Sequence, residues 1–110
     1  MKLLALCIAL AGCTDALRLS QEPCPDGGTQ LTYDNFGADF FTTYCNRCHA
    51  NAQHGAPSSF KFETLDDIHR HADRIFVRAA GPNTTMPPGA DDPPLDARDK
   101  LAEWLACGAP

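Results

Sequence analysis

Six cysteines stand in a chain of 110 residues, and no other feature limits its fold so strongly. In a reducing cytosol so many thiols need a metal or a cofactor to occupy them. In an oxidising compartment an even number in a short chain reads first as a scaffold of disulfides. The settings of the six differ: Cys7 lies in an apolar leader, Cys13 closes that leader, Cys45 and Cys48 are three residues apart, and Cys24 and Cys107 stand alone. A chain this short holds one domain at most.

Lys2 is followed by an unbroken apolar run, Leu3 to Leu10, and then by Leu10-Ala11-Gly12-Cys13. A basic start, a short apolar stretch and small residues before a cut mark a secretory signal. The run is far shorter than the ~20 residues a membrane-spanning helix needs. Leu-Ala-Gly-Cys resembles the lipobox of bacterial lipoproteins, whose cysteine thiol takes a diacylglycerol and becomes the new N-terminus after cleavage. That resemblance implies a signal peptide over residues 1–12, loss of Cys7, and a lipid on Cys13. It also implies an exported, periplasm-facing protein held in the bacterial envelope by several acyl chains, enough for stable attachment. Thr14, where an Asp would favour inner-membrane retention, points to the outer membrane. The alternative is an ordinary signal that leaves Cys13 a free thiol. Residues 13–31 then read as a lipidated N-terminus and polar tether, ending in the turn-forming Pro23-Cys24-Pro25-Asp26-Gly27-Gly28.

Cys45-Asn46-Arg47-Cys48-His49 is a C-x-x-C-H run, the attachment pattern of covalent c-type haem. Two thiols on one turn can bond to the two vinyl groups of a porphyrin, and the adjacent imidazole can supply the proximal iron ligand. Two other chemistries share these residues. A thioredoxin-like redox pair wants a strand-rich βαβ setting, which this sequence lacks. A closed zinc site wants a second Cys or His pair at short spacing, and the remaining cysteines are isolated. Export favours haem, since covalent attachment occurs outside the cytoplasm.

A second axial ligand is available in Met86, the only methionine left once Met1 is removed. It lies in Asn83-Thr84-Thr85-Met86-Pro87-Pro88, whose polar and proline-rich flanks suit a loop better than a packed core. His54 follows His49 too closely to reach the opposite face of a ring, and His69 and His71 sit in a helical pattern, where surface roles suit them better. A His/His pair in place of His/Met would lower the potential.

Strand signals are almost absent, and three helical stretches predict an all-α class. The first, about 32–45, repeats Phe36, Phe40, Phe41 and Tyr44 at helical spacing, with Thr32 or Asp34 as cap. The second, about 64–80, opens with Thr64 and Asp67 as a capping box and carries the stripe Leu65, Ile68, Ala72, Ile75, Phe76 and Ala79. Arg70, Arg74 and Arg78 fall off that stripe onto a solvated face, from which one could approach a haem propionate. The third is predicted to start at Asp92 as cap with Pro93 first in the helix, and to run to Cys107 with Ala97, Leu101, Trp104 and Leu105 buried. The folded domain is therefore 32–110, a chain so short that a porphyrin would form a substantial part of its core.

With these elements in place the chain resembles the small monohaem cytochromes c over most of residues 32–107. Besides Cys45-x-x-Cys48-His49 and Met86-Pro87, Gly37 and Phe41 occupy the family's positions before the first haem cysteine. Leu101-Ala102-Glu103-Trp104-Leu105 matches its last-helix pattern. The resemblance implies a cytochrome c-like fold, three or more helices around one haem c, with His49 proximal and Met86 distal. It also implies that the first and last helices cross at Gly37, which could bring Cys24 and Cys107 into a disulfide, a closure contributing about 4–5 kcal/mol by chain entropy. Two features depart from the family. Pro57 follows His49 sooner than the proline whose carbonyl holds the proximal imidazole, and no ring of lysines surrounds the haem edge.

The implied function is transfer of single electrons between redox protein partners by a membrane-tethered carrier, not an enzyme. A haem protein whose Met86 gives way to peroxide or a diatomic gas is the catalytic or sensory alternative, and a zinc-stabilised lipoprotein the structural one. Nine Lys plus Arg against fourteen Asp plus Glu, net −5, argue against nucleic acid as a partner. Asp91, Asp92, Asp96 and Asp99 cluster near the Met86 loop, where they suit a helix N-terminus or a basic redox partner.

Overall fold

A computed structural model describes residues 15–50, 56, 57, 59–89 and 93–110. The expected signal peptide over 1–12, Cys13 with its expected lipid, His54, Asp91 and Asp92 lie outside the described residues. Among those described the protein is all-α: four α-helices, one π-helical turn and one 3-10 turn, with no strand. None of these helices is long and apolar enough to cross a membrane.

Helix α1, Ala38–Tyr44, is entered through the π-helical turn Tyr33–Gly37. Thr32 starts the turn by a reciprocal cap, Asn35 N donating to Thr32 Oγ1 (3.1 Å) and Thr32 N to Asn35 Oδ1 (2.8 Å). Helix α2, Leu65–Arg70, begins on the expected Thr64–Asp67 box, which places Asp66 and Asp67 against the positive end of the helix. The stretch read as one helix over 64–80 breaks at His71, and α3 resumes over Ala72–Ala79. His71 leaves helical geometry (ψ 13°), its N–H is shared between the Asp67 and Ile68 carbonyls, and its ring packs on Phe60 and Phe62.

Helix α4, Leu95–Ala106, starts later than the predicted Asp92–Pro93 boundary. The reason is local: Pro93 precedes Pro94, and a residue before proline is kept out of the helical region. Pro94 is extended at the N-cap, and its carbonyl accepts the first helical bonds, from Ala97 and Arg98.

The core joins Phe40 and Phe41 of α1, Ile68 of α2, Ile75 and Phe76 of α3, and Leu101, Trp104 and Leu105 of α4. Gly37 lies directly under the Trp104 indole, so the turn into α1 crosses the last helix where the small residue permits it. The C-terminus is tied back over this crossing. Pro110 O accepts from Tyr33 N (2.7 Å) and Trp104 Nε1 (3.2 Å), and His69 Nε2 donates to Ala109 O (2.8 Å).

The N-terminal stretch, read from sequence as tether, packs on the domain from Leu17 onward. Its 3-10 turn, Leu19–Gln21, lies against α3 and α4, and Leu17 and Leu19 contact the core. Cys24 and Cys107 then meet as a disulfide, their Cα atoms 4.8 Å apart across 83 residues.

Candidate functional site

At the end of α1 the chain makes one tight turn through the C-x-x-C-H residues. Phe41 O accepts from Cys45 N (3.0 Å) and Asn46 N (2.8 Å), and Cys45 O then accepts from Cys48 N (3.1 Å) and His49 N (3.0 Å). One turn thus carries both thiols and the imidazole. The two cysteines are not bonded to each other: Cys45 is half-buried against the core and Cys48 is exposed. Burial pushes the Cys45 thiol up to about 12, with the Arg98 guanidinium pulling it partly back. A redox-active cysteine requires the opposite, a depressed pKa that yields thiolate at neutral pH.

His49 is held on three sides. Its Nδ1 donates to Phe60 O (2.5 Å), its own carbonyl accepts from Phe62 N (2.7 Å), and its ring stacks on the Phe62 ring at 4.4 Å and 19°. A carbonyl oxygen only accepts, so the proton sits on Nδ1 and the lone pair of Nε2 remains for a ligand. That is the tautomer and support of a metal-binding histidine. The acceptor belongs to Phe60, eleven residues on, and not to Pro57, which instead accepts from Phe60 N. Phe62 packs edge-on against Phe41, and Phe41 contacts Trp104, so the placement of His49 continues into the helix crossing.

Met86 lies in the loop after α3. Its N–H donates to Arg78 O (2.9 Å), and its carbonyl accepts from Arg98 Nη1 (2.9 Å). The same Nη1 reaches Ala79 O (2.8 Å) and Asn83 O (3.0 Å), so one guanidinium gathers both ends of the loop. Arg98 is 2% exposed on α4, and its charge also acts on Cys45. The Met86 side chain is 40% exposed and fills no part of the core.

The competing histidines have other occupations. His69 is bonded to the C-terminus, and His71 packs on Phe60 and Phe62, the two residues that also support His49. Arg70, Arg74 and Arg78 are exposed, as are Asp96 and Asp99.

Three contributors escaped the sequence reading. The Phe60 carbonyl has no side-chain signature at all, since every residue carries one. Asn83 stands out in the sequence only as a flank of Met86. Arg98 did leave a signal, a charge at the head of the apolar spacing Arg98, Leu101, Ala102, Leu105. Among the described residues no three His, Cys, Asp or Glu side chains converge as a metal-ion site. No protein-family model, no curated protein and no solved structure matches the chain.

Proposed function

We propose that the chain is an exported, lipid-anchored cytochrome c-like protein that carries single electrons between redox partners. The observation that carries this reading is the His49 imidazole, locked by Phe60 O in the tautomer that leaves Nε2 free, within the same turn as two unpaired thiols. These residues fit haem c. Cys45 and Cys48 would each add an S–H across a vinyl double bond, a thioether forming with no leaving group. His49 and Met86 would be the residues that hold the iron. Bound in this way, the haem would supply a one-electron change between ferric and ferrous iron.

The chain's own residues supply rigidity. Phe60 fixes the imidazole, Phe62 stacks on it, and Arg98 gathers the Met86 loop by three carbonyls, contacts that would keep both ligating residues in place when the charge on iron changes. Small reorganisation suits electron transfer. The exposure of the Met86 side chain favours one second reading, in which that ligand yields to peroxide or a diatomic gas.

An absorption spectrum of protein matured in a periplasm with haem-ligation machinery tests the proposal. The expected result is a covalent haem spectrum that survives denaturation, with the weak far-red band of sulfur-ligated ferric haem. Absence of any Soret band ends the haem reading. Met86→Ala should abolish the far-red band and lower the potential; an unchanged spectrum removes Met86 as a ligand. Carbon monoxide binding by the ferrous wild type would move the function to the gas-binding reading.

A further inference from the structure

We infer that the end of the domain around Asn83 rests on phospholipid headgroups, because the segment bearing the acylated Cys13 is clamped there. The inference depends on the lipoprotein reading of Cys13.

The Asn83 side chain pairs with the main chain of Leu17 in both directions. Its Oδ1 accepts from Leu17 N (3.1 Å), and its Nδ2 donates to Leu17 O (2.8 Å). Asn83 is itself buried and held elsewhere: Nδ2 also donates to Phe76 O (3.0 Å), its N–H to Ala80 O (3.0 Å), and its carbonyl accepts from Arg98. Past the clamp, Arg18 N donates to Gln21 Oε1 (2.9 Å), Leu19–Gln21 lies on α3 and α4, and Cys24 is bonded to Cys107. From Leu17 to Cys24 the chain is therefore part of the domain surface.

Reach sets the consequence. Cys13 precedes Leu17 by four residues, which span at most about 14 Å fully extended. A domain of ~100 residues has a radius of gyration of about 13 Å and is more than twice that span across. The domain therefore cannot turn over on such a leash, and its Asn83 end, with Pro82 and the Met86 loop, stays beside the bilayer. With the clamp open and the Leu19–Gln21 turn lifted off α3 and α4, the free chain would extend to Cys24, eleven residues from Cys13, or about 38 Å. The orientation is thus set by the two Leu17–Asn83 hydrogen bonds, the packing of Leu19–Gln21 on α3 and α4, and the disulfide.

Arg18 is the only Lys or Arg between Cys13 and Arg47, so tryptic cleavage after it frees the domain from a membrane. Proteases need a locally unfolded segment, and the clamp denies them one. The experiment uses the mature, acylated, haem-loaded protein in phosphatidylethanolamine–phosphatidylglycerol vesicles. Trypsin should leave wild type bound and release Asn83→Ala and Leu17→Pro about ten-fold faster, with a new N-terminus at Leu19. Leu17→Pro removes the N–H that meets Asn83 Oδ1 together with the leucine side chain's contact at the edge of the core, and an unchanged haem spectrum shows that it folds. Neutron reflectometry on supported bilayers should show wild type against the headgroups and both variants separated from them by a water layer. Equal release of wild type and both variants, or a water layer under wild type, overturns the inference. An N-terminal peptide mass without acyl chains overturns it through the lipoprotein reading instead, and the resistance of Arg18 to trypsin in soluble protein then reports on the clamp alone.

Discussion

Gly37 and Trp104 approach so closely that no β-carbon fits between them: one built on Gly37 would lie 2.6 Å from Cη2 of the indole and 2.7 Å from Cζ2. The glycine has ordinary helical dihedrals, φ −60° and ψ −50°, so it is required by contact and not by backbone conformation. Two effects oppose each other at this position. Alanine in a helix gains about 0.5–1 kcal/mol over glycine, while overpacking a full core costs about 1–3 kcal/mol. Because Trp104 is 0% exposed and has nowhere to move, the second effect should dominate. Gly37→Ala is expected to lower stability by about 1–2 kcal/mol in urea titrations. In a double-mutant cycle, Trp104→Phe should absorb most of that loss. A more stable Gly37→Ala would remove the close approach.

Arg98 holds the carbonyls of Ala79, Asn83 and Met86 from a buried position. Truncation leaves three acceptors without their donor, so Arg98→Met should cost about 2–5 kcal/mol. In haem-loaded protein it should also weaken the far-red band of sulfur ligation. Arg98→Lys, which keeps a charge and three donors, should recover part of both. Stability lost without any spectral change would mean that Arg98 supports the fold and not the position of Met86.

Haem-free protein should show unequal thiols. With Cys45 raised from 9.0 to about 12 by burial, only about one molecule in ten thousand carries its thiolate at pH 8. Iodoacetamide should therefore modify exposed Cys48 promptly and Cys45 only when urea is present, which peptide mass mapping reads directly. The sign of the pH dependence follows. The folded state holds this proton more tightly than the unfolded state, so the contribution is full below about pH 9 and is lost as the pH rises towards about 12. Rapid labelling of both thiols at pH 8 in native protein would contradict the buried setting of Cys45.

The disulfide between Cys24 and Cys107 joins the N-terminal strap to the end of α4. Cys24→Ser with Cys107→Ser should cost about 2–5 kcal/mol, seen as a lower urea midpoint. Peptide mapping without reductant should recover the cross-linked pair, and two free thiols would contradict it.

Asp96 and Asp99 are exposed on the first turns of α4, in a chain of net charge −5. With a basic redox partner, the bimolecular electron-transfer rate should fall about ten-fold between ~0.01 M and ~0.15 M salt. A rate indifferent to salt would point to a docking surface without charge pairing.

What the sequence by itself determined is local or periodic. The helix starts at Thr32 and Thr64 follow from side chains capping amides three residues away, and the all-α class follows from the spacing of Phe40, Phe41, Ile75, Phe76, Leu101 and Leu105. The C-x-x-C-H turn is equally legible, because its chemistry depends on neighbours along the chain. The misplaced start of α4 belongs here too, since the Pro93-Pro94 pair already forbade the earlier boundary. Only the tertiary structure decided which carbonyl orients His49, that Arg98 is buried among three loop carbonyls, and that Leu17 is paired to Asn83 across 66 residues. Each of these contacts involves a main-chain atom, and main-chain atoms are the same in every residue. Sequence pattern therefore says nothing about which of them will meet; the packing of α1, α3 and α4 around Trp104 does.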